Sequence, residues 1–219
     1  VRTMVCYDAG FVHLGIMVAK LPEIVGEMPE PIHISVSEAA LPNKLEFELR
    51  SKSVTFRNIH RILKQVDVVE KIHHRFKPVA YYVEMPHGGA KGALAIRGMS
   101  FATAYLATAI HLLAPRVLFH CFSPFEVKKA VTGDGKADKL VVAQRVIDTW
   151  PAISNWPGFK IVTVIKRKKG AKLEVQKKAL AHDATDAGAV CITATQHPTY
   201  SGLFLAGRQT CQSELDLSS

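Results

Sequence analysis

This chain has little with which to staple or anchor itself. Its four cysteines, Cys6, Cys121, Cys191 and Cys211, include no Cys-x-x-Cys pair, and the first three lie inside apolar stretches. A zinc site is therefore not expected, and reduced thiols in a reducing, intracellular compartment are. The N-terminus lacks a basic leader followed by an apolar run and a small-residue cleavage site, which argues against secretion. The longest apolar stretch, Ala93 to Pro115, is interrupted by Arg97, Ser100, Thr103, Thr108 and His111. It reads as a buried helix and not as a membrane span. No basic amphipathic segment with exposed aromatics stands out, so a membrane surface is not an expected partner. There is no internal repeat, and acids are the scarcer charge.

That scarcity is informative. The 219 residues carry 28 Lys and Arg against 19 Asp and Glu, a net charge of +9, and are 48% hydrophobic. The length and apolar content suit one globular domain with a substantial core. A basic surplus in a chain that nonetheless clusters its acids points to a polyanionic partner, with the acids reserved for metal.

Apolar periodicity organises the chain. Strands are predicted at Arg2 to Asp8, Val12 to Lys20 and Ile32 to Ser37, punctuated by Pro29, Pro31 and Pro42. A helical stripe runs through Phe56, Ile59, Leu63, Val66, Val69, Ile72 and Phe76, its other face carrying Arg57, Arg61, Lys64, Lys71, His73 and Arg75. Strand Val79 to Glu84, the loop MPHGGAKG, a long small-residue-rich helix from Gly92 to Leu113 and strand Arg116 to Phe122 follow. SPFE at Ser123 to Glu126 is a capping box with proline at the first helical position, so a helix begins there and ends near Gly133. A second helix is predicted over Ala137 to Trp150. A β-rich piece from Phe159 to Ile165 then runs into KRKKGAK, Lys166 to Lys172, read as a basic hairpin tip. Periodicity fades after about Tyr200, giving one domain over residues 1–200 and a tail over 201–219. The order of elements is α/β with a mixed sheet of five strands flanked by helices, and it fits an RNase H-like core.

Four acids stand out against this frame. Asp8 closes the apolar run MVCYDAG just before a glycine turn, and Glu84 closes VAYYVEMP before Pro86. Asp183 and Asp186 are three apart at the start of HDATDAGAVCITA and share a helix face with Val190, Cys191 and Ala194, which turns them toward the sheet edge. Taken singly, Asp8 suits a turn former and Asp183 a helix cap as well as a ligand. Glu84 is harder to explain away, because an apolar strand rarely ends on an unpaired carboxylate without a compensating cation. Three segments presenting acids from the ends of core elements are best explained by a hard divalent ion, which takes oxygen ligands.

The segments VCYDAGFVHLGIMV, AYYVEMP, FEVKKAVTGDGKADKLVVAQRV and HDATDAGAVCITA resemble those of the RuvC-type Holliday junction resolvases of the RNase H-like superfamily, from about Thr3 to Ala194. The third segment is the most telling: two lysine-bearing helices around a glycine turn are not general to the superfamily. The resemblance implies metal-dependent cleavage of four-way DNA junctions by a homodimer. It assigns Asp8, Glu84, Asp183 and Asp186 to the metal, and Lys128 and Lys139 to the DNA near the scissile phosphate, with Lys139 counted in the catalytic set. Lys129 is the neighbouring candidate for the Lys128 role. The mechanism expected of these acids is a two-metal in-line hydrolysis, with Asp8 bridging two Mg²⁺ or Mn²⁺ ions roughly 4 Å apart, Glu84 completing one site and Asp183 with Asp186 the other. Lys91, Lys166, Arg167, Lys168 and Lys169 are added as DNA contacts on charge alone, since such runs clamp the backbone without reading sequence. The loop after Glu84 offers His87, Gly88, Gly89 and Lys91 where family members often carry an aromatic. His182 stands beside the cluster, either as a proton carrier or as a supporting residue.

Three rivals are weighed against this. An RNase H-like nuclease could act on a hybrid or a flap instead. A non-catalytic junction-binding protein would gain nothing from a carboxylate cluster that repels DNA. A sugar-kinase or actin-like ATPase also carries DxG on its first hairpin, but no second glycine-rich phosphate loop is present.

Overall fold

The computed structural model describes residues 1–10, 12–39, 54–85, 93–166, 174–180 and 183–204. Its centre is a five-stranded sheet of β1 (Thr3–Ala9), β2 (His13–Lys20), β3 (Glu30–Glu38), β4 (Ala80–Glu84) and β5 (Leu118–Phe122), in the order β3-β2-β1-β4-β5. The first three strands form the antiparallel meander expected of their alternating patterns. Strand β4 then joins β1 in parallel, and β5 joins β4 in parallel. The sheet is therefore mixed and RNase H-like.

Parallel neighbours need crossovers, and helices supply them. Helix α1 (Val54–Phe76) links β3 to β4, and α2 (Ala93–Leu113) links β4 to β5. Both cover the face lined by Val5, Tyr7, Ile16, Tyr81 and Val83. The opposite face, lined by Met4, Cys6, Met17, Tyr82 and Phe122, is covered by α3 (Pro124–Thr132), α4 (Lys139–Thr149) and α5 (Asp183–Thr195). Covering both faces explains why β1 is apolar almost throughout instead of alternating with polar residues.

Helix α5 is buried from Ala184 to Ala194. It is small and apolar all round because it lies between the sheet and α3 and α4. The capping box predicted for α3 is present: the Ser123 backbone N–H donates to Glu126 Oε2 at 2.7 Å, and the Glu126 N–H donates to Ser123 Oγ at 3.3 Å.

Several boundaries differ from the sequence reading. Helix α4 begins at Lys139 and not at Ala137, because Asp138 caps it by accepting from the Leu140 N–H at 2.8 Å. The β-rich piece after Pro157 pairs with a return strand that the pattern did not single out. β6 (Lys160–Lys166) and β7 (Glu174–Leu180) form a separate antiparallel ribbon. The polar sequence EVQKKAL carries little alternation because the ribbon lies outside the central sheet. Residues 198–204 are helical, and Tyr200 and Leu203 are buried, so packing continues beyond the point where periodicity fades. Cys6 and Cys191 are buried as expected, but Cys121 is exposed on edge strand β5. No helix among the described residues is long and apolar enough to cross a membrane.

Candidate active site

Side chains alternate across a strand, so position fixes direction. Asp8 follows Met4 and Cys6 in phase, and Glu84 follows Ala80 and Tyr82; all four of those residues belong to the core on the α5 side. Asp8 and Glu84 are direct register partners of parallel strands. Two carboxylates thus stand side by side at the C-terminal end of the sheet, on the face that α5 covers.

A glycine brings the third source of acid to them. Gly15 is the register partner of Asp8 on the other side of β1, and in phase with Met17 and Ala19 it faces α5. A Cβ there would overlap the carbonyl oxygen of Asp183. The first turn of α5 can therefore rest on β2 only because this strand position has no side chain. The contact sets Asp183 and Asp186 beside Asp8.

The other face supports the turn that follows Asp8. The Tyr105 hydroxyl of α2 donates to the Gly10 carbonyl at 3.4 Å. The buried Gln65 of α1 donates from Nε2 to the carbonyls of Val12 at 3.3 Å and Ser37 at 3.4 Å.

The electrostatics register how close the acids are. Burial above all, then the charges of Asp186, Glu84 and Asp183, push the Asp8 carboxyl well above the usual range, with Lys139 opposing. Burial and then Asp186 push Glu84 up to about 7, while Lys139 and Lys128 pull it back. Lys139 Nζ lies 3.3 Å from Asp186 Oδ2, the lysine half-exposed and the aspartate nearly buried. Two lysines do not neutralise four acids. Among the described residues, no three acidic, histidine or cysteine side chains converge closely enough to grip an ion as they stand. The donor set nonetheless fits a divalent cation: carboxylate oxygens alone, from two adjacent strands and a helix N-terminus, short of positive charge.

The structure therefore gathers Asp8, Glu84, Asp183, Asp186 and Lys139, with Lys128 near enough to act on Glu84. Lys129 lies on another flank of α3, where it lines a cavity of about 350 Å³ with Phe122, Glu126, Ala130, Thr193, Gln196 and His197. Lys166 ends β6. Lys91, Arg167, Lys168, Lys169 and His182, with the loop 86–90, lie outside the described residues. The sequence reading overlooked Gly15, Tyr105 and Gln65. Only Gly15 left a trace, as an isolated glycine inside the strand HLGIMV, a pattern that marks close backbone approach.

Comparisons with known proteins bear on the fold. A family model described as crossover junction endodeoxyribonuclease RuvC matches residues 46–152. Among solved structures, Thermus thermophilus RuvC in complex with a Holliday junction substrate superposes with a TM-score of 0.60 at 19% identity, covering 92% of this chain and 97% of that one. Thermus thermophilus RuvC is also similar at 0.58 and 21%, covering 88% and 93%. The yeast mitochondrial Holliday junction resolvase Ydc2 gives 0.52 at 12%, covering 96% and 83%. No curated protein matches the sequence. The resemblance read from the sequence is thus matched by an independent family model, and the RNase H-like fold by these structures.

Proposed function

We propose that the chain is a divalent-metal-dependent endodeoxyribonuclease that cleaves four-way DNA junctions, acting as a homodimer with two ions in each site. The observation that carries this is the placement of Asp8 and Glu84 in register, with Asp183 and Asp186 set against them across Gly15. That placement sits in a fold shared with junction-cleaving enzymes.

Asp8, Glu84, Asp183 and Asp186 would hold Mg²⁺ or Mn²⁺, which when bound supplies a water of lowered pKa and stabilises charge on the leaving 3′ oxygen. Asp8 lies between the other two acidic segments and would contribute to holding the ions together with both. Asp186 is buried and Asp8 half-buried, which limits the bulk water that competes for their oxygens. Lys139, half-exposed at the start of α4, reaches the cluster from the solvent side, where a phosphate would approach. Lys128 lies on the same rim. The basic surplus supplies the attraction for the DNA backbone, and a homodimer supplies one site for each of the two equivalent strands of a junction.

The deciding experiment is strand-resolved cleavage of a synthetic mobile four-way junction with Mg²⁺, set beside linear duplex, flap and RNA/DNA hybrid. Paired symmetric nicks in the junction alone are the expected result. Equal cutting of the flap or hybrid would replace the substrate assignment, and a monomeric complex making unrelated nicks would remove the homodimer.

A further inference from the structure

Phe125 is out of place by ordinary burial rules. It occupies the second position of α3 and is 54% exposed, and among the Phe, Tyr and Trp residues whose side chains are described it alone stands in the open. Its position is not a loose one. A Cβ on Gly135 would fall inside the Phe125 ring, so the ring lies flat against the turn between α3 and α4, at a position where the chain is bare backbone. One face of the ring is braced by that turn, and the side chain still shows more than half its surface to solvent.

Basic side chains stand near it, beside the exposed acids Glu126 and Asp134. Lys128 and Lys129 follow at three and four residues along α3, which places them about 5–6 Å away on the helix surface. Lys136 follows Gly135 directly and is exposed. The charge of Lys128 acts on Glu84, so the ring, one helical turn before Lys128, stands toward the rim of the carboxylate cluster, while Lys129 lies on the neighbouring flank of α3. An exposed ring held rigid among ammonium groups is the arrangement by which proteins hold unpaired nucleic acid: the cations follow the phosphates, and any base can stack on the ring.

We infer that Phe125 is a stacking platform for an unpaired DNA base at the rim of the candidate active site. A base next to a branch point has lost a stacking neighbour and is the one most easily offered to such a ring. The platform would favour branched or opened DNA over continuous duplex, whose bases are already stacked on both faces. It thus selects the substrate, while the carboxylates carry the chemistry. The inference rests on the nuclease reading for its DNA partner.

The test uses a four-way junction with 2-aminopurine placed in turn at each nucleotide flanking the branch, in the presence of a chelator so that nothing is cut. One position should be quenched when the wild-type protein binds. Phe125→Ala and Phe125→Leu should both abolish that quenching and weaken junction binding by about 5- to 100-fold, leaving duplex binding unchanged. Phe125→Trp should keep the quenching, and its own fluorescence should fall on binding. Leucine preserves apolar packing on the Gly135 turn, so if Phe125→Leu binds and quenches like wild type, the ring is only a brace and the inference is overturned. If the wild-type protein binds no junction at all, the nuclease reading falls and the platform with it. Normal cleavage with unaltered quenching in every variant would sink the platform alone.

Discussion

Removing one carboxylate of the candidate site should stabilise the metal-free protein. Burial and the charge of Asp186 hold the Glu84 carboxyl protonated up to about 7 in the fold, against 4.5 for the ordinary side chain. Between those values the folded protein keeps a proton that the unfolded chain releases, so stability falls as pH rises through that window. Above it the full cost is present, about 3 kcal/mol at 1.36 kcal/mol per pH unit. Glu84→Gln keeps the shape and removes the charge. In a chain of this length it should raise the melting temperature at pH 8, with chelator present, by about 6 to 12 °C, less whatever burial of the amide costs. At pH 4 the two proteins should melt together. Adding Mn²⁺ at pH 8 should stabilise the wild type and narrow the gap, because the ion replaces the missing positive charge. Differential scanning calorimetry of both proteins from pH 4 to 8 provides the assay. A variant that melts below wild type at pH 8 with chelator, or a difference that does not change with pH, would refute the claim that Glu84 is held in a cation-deficient site.

Three further outcomes are expected. Asp8→Asn and Asp186→Asn should abolish cleavage while leaving junction binding intact or tighter, measured by gel shift beside end-labelled product analysis; normal cutting by either would remove that residue from the site. Lys139→Gln should slow single-turnover cleavage by about 10²- to 10³-fold, the usual effect of deleting one charge-stabilising donor, with little change in melting temperature because the lysine is half-exposed. Junction affinity should fall by about 10³- to 10⁵-fold between 50 and 200 mM salt if ~6 to 10 phosphates are neutralised, and a flat response in a fluorescence titration would contradict a basic binding surface.

Much of the site was legible in the sequence because its acids interrupt patterns. Asp8 and Glu84 fall at the ends of apolar strands, Glu84 where nothing local calls for charge, and Asp183 and Asp186 open a helix whose every later position is small or apolar. Each departs from a local rule, and such departures are readable from the chain alone. The meander and the crossover helices were legible through periodicity, and α3 through its capping box. What escaped the sequence reading depends on partners distant in the chain. Gly15 matters because Asp183 lies above it, 168 residues later, and Gln65 because it bonds two carbonyls of another layer. The return strand β7 belongs to a two-stranded ribbon apart from the central sheet, and EVQKKAL carries no alternation to read. Tyr200 and Leu203 are buried one turn apart in a segment too short to display a period.

The seat of α5 on Gly15 has a consequence for variation. The helix touches the sheet through backbone at one end, and at Gly188 it lies so close to its neighbours that a Cβ would clash with Val146 and crowd Trp156. It is gripped like a rod between two jaws, and the gap between the jaws, not any acidic side chain, sets how far Asp183 and Asp186 stand from Asp8. A single methyl group at position 15 would lift the rod by something on the order of 1 Å, a displacement that can cost 10²-fold in a catalytic site. On the proposed nuclease reading, a descendant of this chain could therefore retain all four acids and both lysines and still lose activity through one alanine, so an inventory of acidic residues alone would misjudge which relatives cut DNA.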